Sequence, residues 1–165
     1  MISKLSKFYE VKIQYQKMQD DGKEKNVKEQ YVVEALSFTE AESRIIEEIT
    51  PYVSGEFDVV SEKIAAYSEI ILSDKSDDDK WFISKVCFIT LDERTAKEKK
   101  QTFRYLVQAE TSEKAMDYTK EMLSKGMSDY SIDAVQDTAT LEVFLCEDNK
   151  DSVETEEHHE TSNDY

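Results

Sequence analysis

The sequence contains very few of the residues from which catalytic and phosphate-binding motifs are built. Its 165 residues include three glycines, one proline, two cysteines and two histidines. Because the glycines at positions 22, 55 and 126 are far apart, they cannot form a glycine-rich loop that cradles a phosphate group. His158 and His159 are adjacent and close to the C-terminus, which excludes a histidine-based triad or zinc site in a folded core. The sequence therefore predicts that the protein is not an enzyme and carries no cofactor or metal.

Long apolar runs and paired cysteines are also missing. No hydrophobic run approaches the ~20 residues needed to span a bilayer, and residues 1–7 lack the apolar core of a signal peptide. Cys87 and Cys146 have no CxxC spacing, and a secreted disulfide-bonded scaffold usually contains more cysteines. These absences predict a soluble, cytoplasmic protein with two reduced thiols and no membrane partner.

Negative charge dominates the composition. Lys and Arg number 21 and Asp and Glu number 37, which gives a formal net charge of −16. This charge opposes nucleic acids and anionic membranes and favours a basic protein partner. The acidic residues are dense in 146–165, which has few apolar residues and is predicted to be a disordered tail.

Alternating apolar and polar residues predict two strands near the N-terminus, followed by a helix. A turn at Gly22, within the polar loop 19–26, separates the two strands. A capping box of Thr39 and Glu42 predicts the start of the helix, and Pro51 predicts its end one residue earlier. The predicted core residues are Tyr9, Val11, Ile13 and Tyr15 in the first strand, Tyr31, Val33 and Ala35 in the second, and Ala41, Ile45, Ile46 and Ile49 in the helix.

The same order of elements returns later in the chain. Residues 57–72 predict one interrupted strand or two short strands, with a bulge or bend at 61–63. The pattern strand, strand, helix, strand then restarts at a spacing of 73 residues, so that Phe57 corresponds to Tyr130. Identical element order at one spacing across most of the chain indicates an internal duplication.

The sequence therefore predicts an α+β fold with two tandem strand-strand-helix-strand repeats, residues 8–72 and 81–145. The two repeats are expected to pack about a pseudo-twofold axis into one globule, the alternative being two separate domains on a linker. In the second repeat, Ser112 is the predicted helix cap and Gly126 the left-handed residue beyond the helix. Residues 73–80 contain no apolar side chain and form the predicted linker.

The linker contains a run of three acids, Asp77-Asp78-Asp79. Calcium-binding loops alternate their acidic ligands along the chain and place a glycine among them, and this run does neither. The sequence therefore predicts that the three aspartates are solvated residues of the linker.

One face of the second repeat is more apolar than its counterpart in the first repeat. This face combines alternate residues of the first strand with one residue of the neighbouring strand, and its members are Trp81, Ile83, Cys87, Ile89 and Leu106. Either another part of the chain covers this face, or it is an exposed patch of the kind that marks an interface, or it lines a small-molecule pocket. We consider these five residues the candidate interface for a protein partner or for self-association.

Three sequence segments carry a resemblance to a known family. They are Phe8-Tyr9-Glu10-Val11-Lys12, Ala35-Leu36-Ser37-Phe38-Thr39-Glu40-Ala41-Glu42, and Trp81-Phe82 with Lys85-Val86. With them, residues 8–145 resemble an uncharacterised domain-of-unknown-function family found in gut Bacteroidetes and their bacteriophages. The resemblance implies a phage or mobile-element setting and attaches no chemistry to any residue.

Three functions are compatible with these observations. The leading hypothesis is a non-enzymatic acidic interaction protein of phage or mobile-element origin that binds a protein partner. The first alternative is a binder of a small, nucleotide-like ligand in a cleft between the repeats, although the chain has only three arginines. The second is a single-stranded nucleic-acid protein that would use Phe103, Arg104 and Lys97–Lys100, with the acidic tail as regulator; the net charge makes a nucleic-acid partner unfavourable.

Overall fold

The computed structural model describes residues 7–146, so the predicted tail beyond Cys146, including both histidines, lies outside the described residues. The chain divides into two compact units. Of the described residues, unit one contains 7–65 and 142–146, and unit two contains Ala66–Leu141. Among the described residues no helix is long and apolar enough to cross a membrane.

Each unit is built on a four-stranded antiparallel or mixed sheet with one helix, so the predicted α+β class is confirmed. The elements in chain order are β1 (Lys7–Met18), β2 (Glu24–Ala35), α1 (Phe38–Ile49), β3 (Phe57–Ala65), β4 (Glu69–Ile71), β5 (Lys80–Leu91), β6 (Glu98–Ala109), α2 (Ser112–Leu123), β7 (Asp129–Asp137) and β8 (Thr140–Phe144).

The two sheets have the strand orders β3-β1-β2-β8 and β4-β6-β5-β7. The residues 57–72 therefore form two strands that belong to different sheets. Short β4 runs parallel to β6, with Ile70 opposite Leu106, while β8 lies beside β2. One edge strand of each sheet thus comes from the other half of the chain, which the sequence pattern did not predict.

The alternation in β1 produces the core of unit one as predicted. Tyr9, Val11 and Ile13 are buried, and they pack with Tyr31, Val33 and Ala35 of β2 and with α1. The helix contributes Ala41, Ile45 and Ile49, which follow one another at four-residue intervals along one side. Ile46 was predicted to be buried, but it is 43% exposed. The next residue after Ile45 is rotated by about 100° around the helix, which turns it away from the sheet.

The core of unit two is built in the same manner, with one polar addition. Phe82 and Val86 of β5 pack with Tyr105 and Val107 of β6 and with α2. Ser84 lies on the same side of β5 and is fully buried, and its hydroxyl is 2.8 Å from that of Thr119 on α2. Thr119 also donates to the carbonyl of Ala115 at 2.7 Å, so the buried hydroxyls are satisfied by hydrogen bonds.

Both helices begin earlier than predicted. Ser37 has an extended backbone, with φ −152° and ψ 165°, and its hydroxyl accepts from the Glu40 N–H at 3.1 Å. Thr111 caps α2 in the same way, accepting from the Lys114 N–H at 3.2 Å. The predicted caps Thr39 and Ser112 lie inside the helices, because the first suitable hydroxyl in extended backbone takes the cap position.

The cap assignment predicts different effects for two neighbouring hydroxyls. Replacing Ser37 with alanine should lower the free energy of unfolding by about 1 kcal/mol, because the Glu40 N–H loses its acceptor. Replacing exposed Thr39, inside the helix, should change it by less than about 0.5 kcal/mol. Urea unfolding followed by far-ultraviolet circular dichroism measures both changes. A larger loss of stability for Thr39→Ala would show that Thr39 is the helix cap, as the sequence predicted.

Three local predictions are wrong in position. The loop predicted at 19–26 is a shorter turn, because β2 already begins at Glu24, and Gly22 supplies the positive φ of 80°. The bulge predicted at 61–63 lies at Val60, which is skipped between Val59 and Ser61 in the pairing of β3 with β1. α2 ends at Leu123, and Gly126 has no positive φ and so is not a left-handed helix terminator.

The prediction of three solvated aspartates is wrong at Asp78, which is only 1% exposed. Its Oδ1 accepts from the Glu110 N–H at 2.8 Å, and its Oδ2 accepts from the Tyr118 hydroxyl at 2.7 Å and from the Ser73 hydroxyl. Burial on its own raises the pKa of Asp78, but the hydrogen bonds outweigh it and hold that pKa below its ordinary value. A carboxylate with three donors can be buried, so the segment docks against α2.

Candidate interaction surface

The structure places most of the predicted interface inside the protein. Trp81, Cys87 and Leu106 are buried, whereas Ile83 and Ile89 are half-buried. Ile83 lies directly opposite Leu106 in the pairing of β5 with β6, so the residues do share one face as predicted. The three buried members are covered by the chain itself and are not available to a separate partner.

Cys146 belongs to a polar cluster that has a structural explanation. Arg44 donates to the carbonyls of Glu34 and Leu145, each at 2.8 Å, and the Cys146 N–H donates to Glu34 Oε1 at 3.3 Å. These bonds hold the segment after β8 against unit one. Burial, with a smaller contribution from its hydrogen bond to Glu34, raises the pKa of the Cys146 thiol to about 11. A thiol with this pKa is protonated at neutral pH and is a poor nucleophile.

A second polar cluster joins two tyrosines to one carboxylate. The hydroxyls of Tyr15 and Tyr31 donate to the two oxygens of Glu29, each at 2.7 Å. The hydrogen bond to Glu29 is the main reason that the pKa of Tyr15 is raised to about 12. Both hydroxyls are therefore held as donors, and the bond from Tyr15 on β1 to Glu29 on β2 joins the two strands. Within residues 7–146 there is also no group of three or more potential ligands that could hold a metal ion.

Three of the exposed apolar side chains of unit one lie where β3 meets one flank of α1. We name this the β3–α1 surface and define it by five residues: Phe38, Glu42 and Ile46 of α1, and Glu62 and Ile64 of β3. The three helix residues are spaced by four and so lie along one side of α1. Phe38, Ile46 and Ile64 are 45%, 43% and 49% exposed.

Strand pairing fixes how these residues are arranged. Glu62 and Ile64 lie opposite Val11 and Tyr9 of β1, so they point to the helix side of the sheet. The Phe38 ring meets the Tyr9 ring edge to face, with centroids 4.9 Å apart. Phe38 and Ile64 therefore flank Tyr9 at one end of the surface. β3 is also an edge strand, and no described strand pairs with its outer side.

Two carboxylates occupy the middle of this apolar surface. Glu62 Oε1 is buried and has no hydrogen-bond partner among the described residues. The pKa of Glu62 is raised mainly by burial. The nearby Glu42 carboxylate raises it further. The charged form of Glu62 is thus disfavoured, and a cation beside this carboxylate would stabilise that form.

The comparison with known families has one positive result. A family model for a domain of unknown function, DUF4494, matches residues 7–146. The chain belongs to the DUF4494 family. The DUF4494 match and the described part of the structure end at the same residue, Cys146. No curated protein matches the chain.

The two units of the DUF4494 domain differ at the centre of this surface. Glu62 lies opposite Val11 in unit one, and the matching position opposite Ser84 in unit two is Val135. Glu42 is the fifth residue after its helix cap, and the fifth residue after Thr111 is Met116. Val135 packs against the core of unit two. Unit one therefore has two acids where unit two has an apolar pair.

The sequence analysis missed Glu62 because the bulge at Val60 changes the alternation of β3. Before the bulge Phe57 and Val59 face the helix, and after it the even-numbered Glu62 and Ile64 do so. A strict alternation through 57–65 would have placed Glu62 on the opposite face. Comparison with Val135 at the 73-residue spacing was the signal that could have identified it.

We expect the Glu62→Val variant to be more stable than the wild-type protein by about 1 kcal/mol at pH 7. Because the folded-state pKa of Glu62 is raised, the wild-type protein loses stability as the pH rises from about 4.3 through that pKa. The gain should therefore be larger at pH 7 than at pH 4. Thermal unfolding at both pH values measures it, with Asp58→Asn on the same strand as the exposed control. A destabilised Glu62→Val variant, or a gain independent of pH, would contradict the account of this carboxylate.

Proposed function

We propose that this DUF4494 protein is a non-enzymatic, acidic interaction protein that binds a protein partner through the β3–α1 surface. The observation that carries the proposal is an open strand edge beside three exposed apolar side chains and a carboxylate oxygen, Glu62 Oε1, that has no hydrogen-bond partner among residues 7–146. Glu62 has a buried oxygen without a hydrogen-bond partner among residues 7–146, so this acid is costly in the free protein, whereas unit two has the apolar Val135 at the matching position. Such a cost is expected where binding requires a locally unfavourable residue.

The charge and the family resemblance supply the setting of this proposal. A net charge of −16 steers the protein toward basic partners and away from nucleic acids. The likeness to proteins of gut Bacteroidetes and their phages leads us to propose a phage or mobile-element origin and a cytoplasmic location. In that setting an acidic protein can compete for a basic factor of the host.

An internal duplication is part of the same proposal. Two hydrogen-bonded features recur at a spacing of 73 or 74 residues. Ser37 and Thr111 cap the two helices. The Ser73 N–H donates to Gln108 Oε1 at 3.0 Å, as the Cys146 N–H does to Glu34 Oε1. This recurrence of specific side-chain roles supports descent from one copied module; packing about a pseudo-twofold axis stays a prediction.

The two alternative functions have less support. The Phe103 ring packs edge to face against Phe88, with centroids 5.3 Å apart, so it is not a free platform for a base. An open cleft beside the β1–β2 turn is lined by side chains of both signs, including Lys17, Asp20 and Lys25. This mixture of charges does not favour one class of small ligand. A nucleotide-like ligand in a cleft between the repeats is therefore kept as the secondary hypothesis.

An unbiased selection tests the proposed function. The full chain is used as bait for a random peptide library displayed on phage, and each binder is measured again with Ile64→Asp and with Leu91→Asp. Leu91 is the matched control, because it is 70% exposed and lies outside the β3–α1 surface. We expect binders that lose affinity by at least ~10-fold with Ile64→Asp and keep it with Leu91→Asp, corresponding to about 1.4 kcal/mol. Binders that tolerate both changes, or no binders, would contradict the proposal.

A further inference from the structure

The outer side of β3 and the helix flank beside it resemble the two walls of a strand-binding groove. β3 has nine residues, and its outer backbone groups have no strand partner among residues 7–146. Such an edge is a template for an added strand, and alternate side chains of that strand would point toward the flank of α1. Phe38, Ile46 and Ile64 would provide the apolar contacts for these side chains.

Two carboxylates in the middle of the groove restrict which side chain of a bound segment can lie there. Glu42 and Glu62 lie between the apolar positions, and no donor among residues 7–146 bonds to the buried Oε1 of Glu62. An apolar side chain inserted here would bury both carboxylates further without compensation, which is costly. A lysine or arginine side chain would lay its aliphatic part on the apolar residues and bring its cation to the carboxylates.

We propose that the β3–α1 surface binds an extended peptide segment that adds to β3 as a further strand and inserts one lysine or arginine side chain between Glu42 and Glu62. The inference rests on the proposed function and deepens it by specifying the partner's backbone conformation and its central residue. The corresponding surface of unit two, with Met116 and Val135, has no site for that cation.

The groove also discriminates against a second copy of the same chain. Two β3 strands paired through their outer edges would bring two sets of Glu42 and Glu62 toward one another. The net charge of −16 on each chain adds a repulsion between copies. A basic segment from another protein satisfies the same edge without this penalty, and the apolar residues on either side of its cation fit the exposed positions of the surface.

Two synthetic peptides test the central residue directly. Both have nine residues, with valine at positions 1, 3, 7 and 9 and threonine at positions 2, 4, 6 and 8. One carries lysine at position 5 and the other carries norleucine, which has a similar length and no charge. We expect the full wild-type chain to bind the lysine peptide at least ~10-fold more tightly than the norleucine peptide. The Glu62→Val variant should lose this preference and bind the norleucine peptide at least as tightly.

The outcomes separate this inference from the proposed function. Equal binding of the two peptides with dependence on Ile64 would overturn the lysine site and leave the interaction surface intact. The same conclusion would follow if neither peptide bound while the unbiased selection returned Ile64-dependent binders without lysine or arginine. Asp58→Asn serves as the control for lost surface charge, because Asp58 is an exposed acid on the same strand, and it should retain the preference for lysine. Equal loss of the preference in Asp58→Asn would show that net charge, and not the groove, selects the peptide.

Discussion

Replacing Asp78 with alanine is expected to lower the free energy of unfolding of unit two by about 3 kcal/mol or more. The change leaves the Ser73 hydroxyl, the Tyr118 hydroxyl and the Glu110 N–H without their shared acceptor. Removing one partner from a buried, charge-assisted network costs more than the network's net contribution, because the remaining groups stay desolvated. Urea unfolding followed by the fluorescence of Trp81, the only tryptophan and a buried residue of unit two, measures the loss.

The neighbouring Asp77 is the matched control for this variant. It belongs to the same acidic run but is exposed, so Asp77→Ala should change the stability by less than about 0.5 kcal/mol. The pH dependence adds a second check. Because the folded-state pKa of Asp78 is depressed, its contribution is complete above about pH 4 and is lost as the pH falls through the depressed pKa. Equally small changes in stability for Asp78→Ala and Asp77→Ala would contradict this account and support a solvated linker.

The second large loss of stability is expected when Leu106 is replaced. Its side chain is fully buried, so Leu106→Ala should lower the free energy of unfolding by about 3 kcal/mol through lost burial and the cavity that remains. The exposed Leu141 is the control, and Leu141→Ala should cost less than about 1 kcal/mol. Trp81 fluorescence reports on the first variant as above. A stable Leu106→Ala protein that had lost partner binding would instead support the interface predicted from sequence.

Hydrophobic periodicity was sufficient to predict the class of the fold and much of the core. Tyr9, Val11 and Ile13 could be assigned to one buried face, because a half-buried strand repeats every two residues and local sequence determines that repeat. The partners of β4 and β8 could not be predicted in this way. Which sheet a three- or five-residue strand joins depends on contacts distant in sequence, and neither strand carries a local signal for its neighbour.

Buried polar residues explain the other differences between sequence and structure. Asp78 was predicted to be solvated from its residue type and neighbours, but its burial depends on donors 32 to 40 residues away. Glu62 faces the helix only because the bulge at Val60 shifts the strand by one residue. The sequence left open whether the face with Trp81 and Leu106 is covered or exposed, and both residues are buried. The contacts that bury Asp78 are nonlocal, whereas the bulge that turns Glu62 toward the helix lies within its own strand.

The exposed surface of unit one differs from the patch predicted from sequence. Trp81, Cys87 and Leu106 of that patch are buried, and Phe38, Ile46 and Ile64 form a different exposed group around two acids. Neither half of this arrangement is unusual alone, because exposed apolar residues and surface glutamates are common. Within the part of the chain that the structure describes, they combine beside an unpaired strand edge with a buried carboxylate oxygen that has no donor, and this combination is the basis on which we propose a basic, extended partner.

Amide hydrogen exchange of the full chain, with and without a saturating peptide from the unbiased selection, tests the central claim most directly. Addition of a strand to β3 predicts slower exchange of the outward-facing amides within Phe57–Ala65, with smaller changes on the flank of α1. The edge strands β4, β7 and β8 should show no change. Protection confined to one of those three strands, with β3 exchanging as in the free protein, would contradict the account.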